Sequence, residues 1–437
     1  MAGVTLLTAC DNALNETDYT YSISSETFYN TVEEANAAVL APLDAMRSAY
    51  NSNFFATLEI NTEYCYPKGV YQTYKQYNGF VNATHMNRSD SNWQSLYKAI
   101  MFCNTAIERI PNATKMTEEE KLAYLGELRF LRGFNYFNLV KYWGGVPLKT
   151  DKNITEWNIP KSSKEEVYNF IIEDLKYALD NCPDKKRYLA TPDKNTVRVC
   201  LADVYMHTGD YIEAKKLSGE VVNSGTYQLV QVAEPRDFDK VFGADLTTST
   251  EEIFYIKTSR IDGKTWDYLS YTSHPKYEFV PGKTMLNGNG YYTHYTDLRN
   301  HIIKSWDTND LRYGMNIGFY VFGKDAYGEY TCLLTKYTDP NAQGNGANVS
   351  IPLIRYTDAM LIYSEACARV ANTPTMESIE MLNQLRRRAY GKDPKVPNAE
   401  LDYKLSDYAS MTAYMDLLLK DCLLYTSPSP RDMRRSR

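Results

Sequence analysis

The sequence predicts a mainly α-helical protein in which paired helices form a frame and a loop-rich, partly β segment occupies the rest. Three observations indicate this. Helix-start signals precede apolar runs with helical spacing, two segments carry the pattern of an antiparallel helix pair, and residues 232–350 are rich in Gly, Tyr, Asp and Thr without a long helical period. The 437 residues are enough to bury a large core.

Composition and charge exclude several classes of protein. A formal net charge of −6 and a pI of about 5.6 argue against a nucleic-acid partner, which requires a basic face. No stretch approaches the roughly 20 apolar residues that span a bilayer, so membrane association needs an anchor. The eight cysteines and five histidines lack metal-ligand spacing, so we expect no metal and no cofactor. The 38 tyrosines suit wet binding surfaces.

Three helix starts carry the S/T-x-x-E spacing of a capping box, in which two side chains satisfy each other's backbone donors. They are Thr31 with Glu34, Thr117 with Glu120, and Ser163 with Glu166. We expect Pro42 to kink the first helix or end it early. A second helix is predicted over about 91–110, and Asn104 on its apolar stripe is expected to tie down a backbone segment.

Residues 127–148 read ELRFLRGFNYFNLVKYWGGVPL and are loaded with aromatic and long aliphatic side chains. These cover more than half of the circumference of a helix that starts at Thr117. A helix that is apolar on most sides is buried on most sides, so this segment is predicted to be core and not a ligand platform. Gly144-Gly145 followed by Pro147 should end it.

Two segments predict antiparallel helix pairs. In NTVRVCLADVYMHTGDYIEAKKLSGEVVNSGTYQLV (195–230) one apolar helix is followed by the turn Gly209-Asp210 and a second apolar helix, with small residues where the backbones approach. This is the helix–turn–helix pattern of a tetratricopeptide repeat. A second pair is predicted over 352–391. The charged residues on its first helix are interpreted as structural ion pairs. They are Arg355, Asp358, Glu365 and Arg369.

The two ends of the chain differ from the rest. Leu7-Thr8-Ala9-Cys10 resembles the bacterial lipobox, so residues 1–10 are interpreted as a truncated lipoprotein signal and Cys10 as the acylated residue. Near the other end, the helical pattern breaks at Cys422. Residues 422–432 can be encoded by a nucleotide sequence that resembles a transposase sequencing adapter, so 422–437 are expected to be a non-native tail. A genuine disordered basic tail is the alternative.

Five blocks together resemble the SusD/RagB family of outer-membrane nutrient-binding lipoproteins, in addition to the lipobox cysteine. They are NWQSLYKAIMFCNTAIERIP, ELRFLRGFNYFNLVKYWGGVPL, SSKEEVYNFIIEDLKYAL, GDYIEAKKLSGEVVNSGTYQL and IRYTDAMLIYSEA…EMLNQLRRRAYG. They occur in family order over nearly the whole chain. The closing block of the family, a helix rich in Glu and Arg followed by an aromatic-aspartate segment, does not occur.

The resemblance implies a mainly α SusD-like fold over 11–421, formed as a single domain. Tetratricopeptide-like helices are expected at about 91–225 and 352–391, and loop-rich binding parts at about 59–88 and 232–350. The resemblance also implies a lipid-anchored protein on the outer membrane of a Gram-negative bacterium, and Asp11 directly after the cysteine resembles a surface-export signal. Its partner would be a SusC-like TonB-dependent transporter, to which it delivers glycans or peptides without catalysis.

Sugar recognition needs aromatic faces for the apolar surface of a pyranose and polar groups for its hydroxyls. Loop-borne rings that face solvent are therefore the candidate ligand-binding residues, and they match the family's two sugar-contacting loop regions. They are Tyr64, Tyr66, Tyr71, Tyr74, Tyr77, Trp266, Tyr268, Tyr291, Tyr292 and Trp306. Asn287 and Asn289 lie in a GNG-containing turn beside the second group.

Three other functions remain open at this stage. A peptide-capturing RagB-like protein would share the fold. A surface glycoside hydrolase would need two carboxylates at a defined separation, and no feature selects such a pair from the 54 acidic residues. No HExxH or GxSxG motif occurs either. A repeat scaffold that binds only proteins is the third alternative.

Overall fold

The structure is a computed structural model that places most of the chain. The described residues are 28–50, 52–60, 62, 64–75, 83–261, 263–287, 289–291, 293–319 and 330–426. The fold is mainly α-helical, as predicted.

Helices supply most of the regular structure in these ranges. They are α1 (Val32–Ala49), α2 (Ser52–Ile60), α3 (Ala83–Arg109), α4 (Glu118–Trp143), α5 (Lys164–Asn181), α6 (Lys194–Thr208), α7 (Tyr211–Val222), α8 (Asp239–Phe242), α9 (Tyr268–Thr272), α10 (His301–Ser305), α11 (Leu311–Asn316), α12 (Tyr356–Ala371), α13 (Met376–Ala389) and α14 (Met411–Thr426).

The strands are short and all pair antiparallel. They are β1 (Tyr66–Pro67), β2 (Glu252–Ile256), β3 (Glu278–Val280), β4 (Lys283–Thr284), β5 (His294–Asp297), β6 (Ile317–Phe319), β7 (Thr331–Leu334) and β8 (Ile351–Arg355). One sheet has the order β1-β5-β7-β6, and β2-β8 and β3-β4 form two-stranded ribbons. The first sheet joins the two segments that were predicted to be loop-rich.

All three predicted capping boxes are present, at Thr31, Thr117 and Ser163. Each satisfies two backbone donors at a helix start, which is why the spacing was informative. Pro42 does not end α1 early, because the helix continues through it to Ala49.

Helix α3 is longer than predicted and begins at Ala83 rather than near residue 91, so the loop-rich segment 59–88 is shorter than expected. Asn104 behaves as predicted. Its Nδ2 donates to the backbone oxygen of Lys149 (2.9 Å), and its Oδ1 accepts from Arg132 (2.8 Å). The amide thus ties α3 to the chain that follows α4.

Helix α4 is the core element that its sequence predicts. Seventeen of its residues are buried, and it ends at Gly144, whose φ of 72° favours glycine. Phe130 and Phe134 contact Phe254 of β2 with ring centroids 5.3 and 5.6 Å apart. The ring-rich helix therefore joins the helical frame to the β2-β8 ribbon.

Both helix pairs form, with one correction. The turn between α6 and α7 has Gly209 in the left-handed conformation. In the second pair, residues 352–355 belong to β8, and α12 begins only at Tyr356. The two pairs pack together: Tyr356 Oη donates to the Val222 oxygen (3.2 Å), and a Cβ on Gly219 would lie 2.9 Å from Tyr363 Cε2.

The predicted charged stripe of α12 is structural. Arg369 pairs with Glu365 at 3.1 Å, and Arg355 lies 3.8 Å from Asp358. At the end of the described chain, α14 continues through Cys422 to Thr426, so the predicted break at Cys422 is wrong. No helix in the described part is both long and apolar enough to cross a bilayer.

Candidate functional site

The four-stranded sheet β1-β5-β7-β6 positions the candidate rings. Tyr66 of β1 lies directly opposite Tyr295 of β5, and Pro67 lies opposite His294. Successive strand residues point to opposite faces, so Tyr66 and Tyr295 share one face of the sheet while His294 points to the other. Rings from the two predicted loop regions therefore meet on both sides of β5.

The first face carries the Tyr66–Tyr295 pair. Both rings are half-buried, with centroids 5.8 Å apart. Asn300 Nδ2 donates to Tyr66 Oη (2.9 Å), and Lys75 Nζ lies 4.4 Å from the centroid of the Tyr66 ring. Lys75 also donates to the Cys65 oxygen (2.6 Å), which fixes the short edge strand.

A charged rim lies beside this pair. Arg299 is exposed, forms an ion pair with Asp297 (2.6 Å) and lies 5.0 Å from the ring centroid of Tyr330. Its hydrogen bonds hold the pKa of Asp297 below the ordinary value, although partial burial opposes this. The ion pair therefore persists at neutral pH, and the Tyr330 ring is exposed next to it.

The face of the sheet that carries His294 has a series of contacting rings, of which the inner ones are buried and the outermost is exposed. His294 is buried and lies 4.9 Å from the Tyr71 ring and 6.0 Å from the Tyr271 ring. Tyr271 is half-buried and makes an edge contact with Tyr291 at 5.9 Å. The Tyr291 side chain is 41% exposed, which makes it the outermost ring of this series.

Two asparagines hold the exposed ring. Tyr291 Oη donates to Asn345 Oδ1 (2.9 Å), and Asn289 Nδ2 donates to the same oxygen (2.8 Å). The backbone nitrogen of Asn289 donates to the Gly344 oxygen (2.7 Å), so the loops at 289–291 and 343–346 are joined. We call Tyr271, Asn289, Tyr291 and Asn345 the Tyr291 surface.

The Tyr291 surface has the groups that a sugar requires. Asn289 Oδ1 and Asn345 Nδ2 make no hydrogen bond within the described part of the chain, and both residues are exposed. One acceptor and one donor therefore remain for ligand hydroxyls beside an apolar ring. Because Asn345 fixes the Tyr291 hydroxyl, little rotational freedom of the ring is lost on binding.

Five predicted site rings do not face solvent, so that expectation is wrong for them. They are Tyr64, Tyr71, Trp266, Tyr268 and Trp306. Each is held by contacts within the protein. Tyr64 donates to the Glu59 carboxylate, and Tyr71 packs against Tyr271 with centroids 5.7 Å apart. Their burial removes the open ring face on which a pyranose could stack.

The two tryptophans are structural side chains. Trp266 is 1% exposed, and its Nε1 donates to the Tyr50 oxygen (3.1 Å) while its ring stacks on Tyr268 at 5.2 Å. Trp306 is 7% exposed, and its Nε1 donates to Asp310 Oδ2 (3.2 Å). Both indoles thus satisfy their donor inside the protein, as buried tryptophans usually do.

Four further predictions remain untested. Cys10, Tyr77 and Tyr292 lie outside the described residues. Tyr74 lies in a 3₁₀ turn over Gly69–Lys75, but its side chain is not among those described. Of the ten predicted ligand-binding rings, Tyr66 and Tyr291 are the two for which the structure places at least part of the ring at the surface.

Sequence reasoning missed Asn345. A signal for it exists, because the tripeptide Gly-Asn-Gly occurs twice, at 288–290 and at 344–346, and Asn289 and Asn345 are the two central residues. Nothing local in the sequence shows that the two copies meet. Among the described residues, no group of three His, Cys, Asp or Glu side chains could hold a metal ion.

Comparison with known proteins agrees with this architecture. Residues 11–206 match the family described as "Starch-binding associating with outer membrane", and residues 200–416 match the SusD family. A SusD-like protein of Formosa agariphila is 25% identical over 452 residues, covering 94% of this chain and 86% of the relative. A SusD-like protein of Bacteroides ovatus is 26% identical over 430 residues, covering 88% and 74% of the two chains.

Solved structures extend the likeness to the fold. A SusD homologue from Bacteroides thetaiotaomicron has a TM-score of 0.79 at 20% identity, covering 94% of this chain and 86% of that one. A laminarin-binding SusD-like protein has a TM-score of 0.73 at 18% identity, covering 93% and 92%. With two family matches that follow one another along the chain and a shared mainly α fold, this chain belongs to the SusD/RagB family.

Proposed function

We propose that this chain is a non-catalytic, surface-exposed lipoprotein that captures glycan oligomers and passes them to a SusC-like TonB-dependent transporter. The observation that carries glycan capture is the Tyr291 surface. There an exposed ring is held by Asn345 beside an unused amide donor and an unused amide acceptor. The laminarin-binding relative and the starch-binding description of the matching family support the same class of ligand.

The proposed mechanism is capture without bond cleavage. A pyranose stacks against Tyr291, and its hydroxyls bond to Asn289 and Asn345 in place of water. The Tyr66–Tyr295 pair lies on the other face of β5, so it is a separate ring surface and not a continuation of the Tyr291 surface. Tyr74, Tyr77 and Tyr292 remain predicted contacts.

The anchor and the partner are proposed from the family and from the motif at Cys10. Acylation of Cys10 tethers the chain to the outer membrane, and the transporter accepts the oligomer from it. Metabolic labelling of the full-length gene product with a clickable palmitate analogue tests the anchor. We expect label in the natural sequence and none after Cys10→Ala. Label retained in that variant would contradict acylation at this residue.

Affinity electrophoresis tests glycan capture directly. Gels containing one purified polysaccharide each should retard the protein, and Tyr291→Ala and Asn345→Ala should reduce the retardation. Tyr188→Ala is the matched control, because Tyr188 is also an exposed tyrosine but lies in the helical part of the chain. Equal retardation of all three variants would overturn the assignment of the Tyr291 surface.

Two further assays separate the alternatives. Release of reducing ends during incubation would show a glycoside hydrolase. Retention by immobilised peptides, with no polysaccharide retarding the protein, would show a peptide-capturing RagB-like function. Either outcome would replace the proposed function.

A further inference from the structure

Trp157 lies almost entirely in solvent. Its side chain is 95% exposed, whereas large aromatic side chains are normally covered. It is located in the connection between α4 and α5, far along the chain from the Tyr291 surface. In the described stretch 123–187 it is the only large apolar side chain that is exposed. A ring in this position requires a reason other than packing.

The loop that carries Trp157 is rigidly anchored at its start. The backbone nitrogen of Lys149 donates to Tyr136 Oη (2.7 Å), and its backbone oxygen accepts from Tyr136 Oη (2.6 Å) and Asn104 Nδ2 (2.9 Å). Two residues later, Asp151 forms an ion pair with the buried Arg132 (2.6 Å). Side chains from α3 and α4 therefore fix where the loop leaves the core.

Hydrogen bonds within the loop continue this order up to the tryptophan. Asn153 Oδ1 accepts from the Thr150 nitrogen (2.7 Å), and its Nδ2 donates to the Leu148 oxygen (3.1 Å). Lys149 Nζ donates to the oxygen of Glu156 (2.8 Å), the residue that precedes Trp157. Because the backbone is already ordered, a ligand that stacks on the ring loses little conformational entropy.

The surroundings of the ring fit a carbohydrate better than a protein. Thr155, Glu156 and Asn158 are exposed polar neighbours, and Lys149 Nζ lies 5.5 Å from the ring centroid. A stable protein interface buries roughly 800 Å² on each partner around an apolar centre. A single aromatic face bordered by polar groups is instead what a pyranose requires.

We propose that Trp157 and Lys149 form a second glycan-binding subsite on the helical part of the molecule. A pyranose of an oligosaccharide stacks on the indole, and the Lys149 ammonium and neighbouring polar side chains bond to its hydroxyls. No hydrogen bond or ring contact among the described residues joins 150–161 to the loop-rich part at 232–350. The subsite shares its ligand class with the proposed function but not its residues.

Acrylamide quenching of tryptophan fluorescence in the full chain tests the subsite. Trp157 should dominate quenching, because Trp266 and Trp306 are buried and Trp93 and Trp143 are half-buried. A glycan that retards the protein in affinity gels should lower the quenching constant at least twofold. It should do so in Tyr291→Ala as well, but not in Trp157→Ala. Trp157→Tyr should retain part of the binding, because it retains a stacking ring.

Affinity for a long glycan supplies the second measurement. If one glycan molecule occupies both sites, Trp157→Ala should weaken glycan binding about tenfold or more, while the circular-dichroism spectrum of the protein stays unchanged. Unchanged quenching in the presence of a bound glycan would overturn the subsite. The subsite would also be overturned if Trp157→Ala kept its affinity for glycan but no longer copurified with the transporter. That result would show that Trp157 docks on a protein. Failure of the proposed function is distinguishable, because the wild-type chain would then retain no glycan.

Discussion

Glu59 is a carboxyl group that the fold buries completely, which predicts an unusual pH dependence. It lies on α2 with no exposed surface; one oxygen accepts from Tyr64 Oη, and Oε1 makes no hydrogen bond in the described structure. Burial raises its pKa to about 7, although Tyr64 and the positive charge of Lys336 oppose the shift. Among the described residues, Tyr268 and Cys65 also interact electrostatically with Glu59.

The sign and size of the effect follow from the two pKa values. In the folded chain the Glu59 carboxyl stays protonated up to about pH 7, whereas the ordinary pKa of a glutamate side chain is 4.5. Between these values the folded state binds more protons than the unfolded state, so the free energy of unfolding falls as pH rises. The contribution is about 3 kcal/mol, present below pH 4.5 and lost by pH 7 and above. Glu59→Gln has the same shape and no proton to lose.

Urea unfolding at about pH 5 and about pH 8, followed by far-ultraviolet circular dichroism, measures this contribution. Relative to the natural chain, Glu59→Gln should gain about 2.5 kcal/mol of stability on going from the lower pH to the higher one, because at pH 5 the unfolded chain has already lost most of the proton. Glu400→Gln is the matched control at an exposed position and should show no such gain. Parallel pH profiles for the natural and Glu59→Gln chains would refute the reasoning.

Two further predictions concern packing. Gly126→Ala should lower the free energy of unfolding by about 1–3 kcal/mol, because its Cβ would lie 2.7 Å from the Cys182 nitrogen. Gly133→Ala in the same helix is the control, because the nearest neighbours of its Cβ would lie at 3.4 Å. Thermal melts should show a lower melting temperature for Gly126→Ala than for Gly133→Ala. Trp266→Ala and Trp306→Ala should each cost about 3–5 kcal/mol and lower the melting temperature, because both indoles are buried. Lost glycan retention with an unchanged melting temperature would contradict that interpretation.

The helical frame could be predicted because its signals are local. A capping box joins residues three apart, and the apolar period of α4 or of the α6–α7 pair repeats within a few turns. Gly209 ends α6 in the left-handed conformation that glycine adopts without strain. The errors at Pro42, at the start of α3 and at 352–355 concern where elements begin and end.

The sequence by itself determined the mainly α fold, the helix pairs, the burial of the α4 rings and the family. Only the tertiary structure decided which tyrosines and tryptophans meet solvent. A ring is apolar over its face and polar at its tip, so the same residue type is stable either in the core or at the surface. Trp266 is buried because the backbone oxygen of Tyr50, 216 residues away, accepts from its indole nitrogen, whereas Tyr291 is held at the surface by Asn345, 54 residues away.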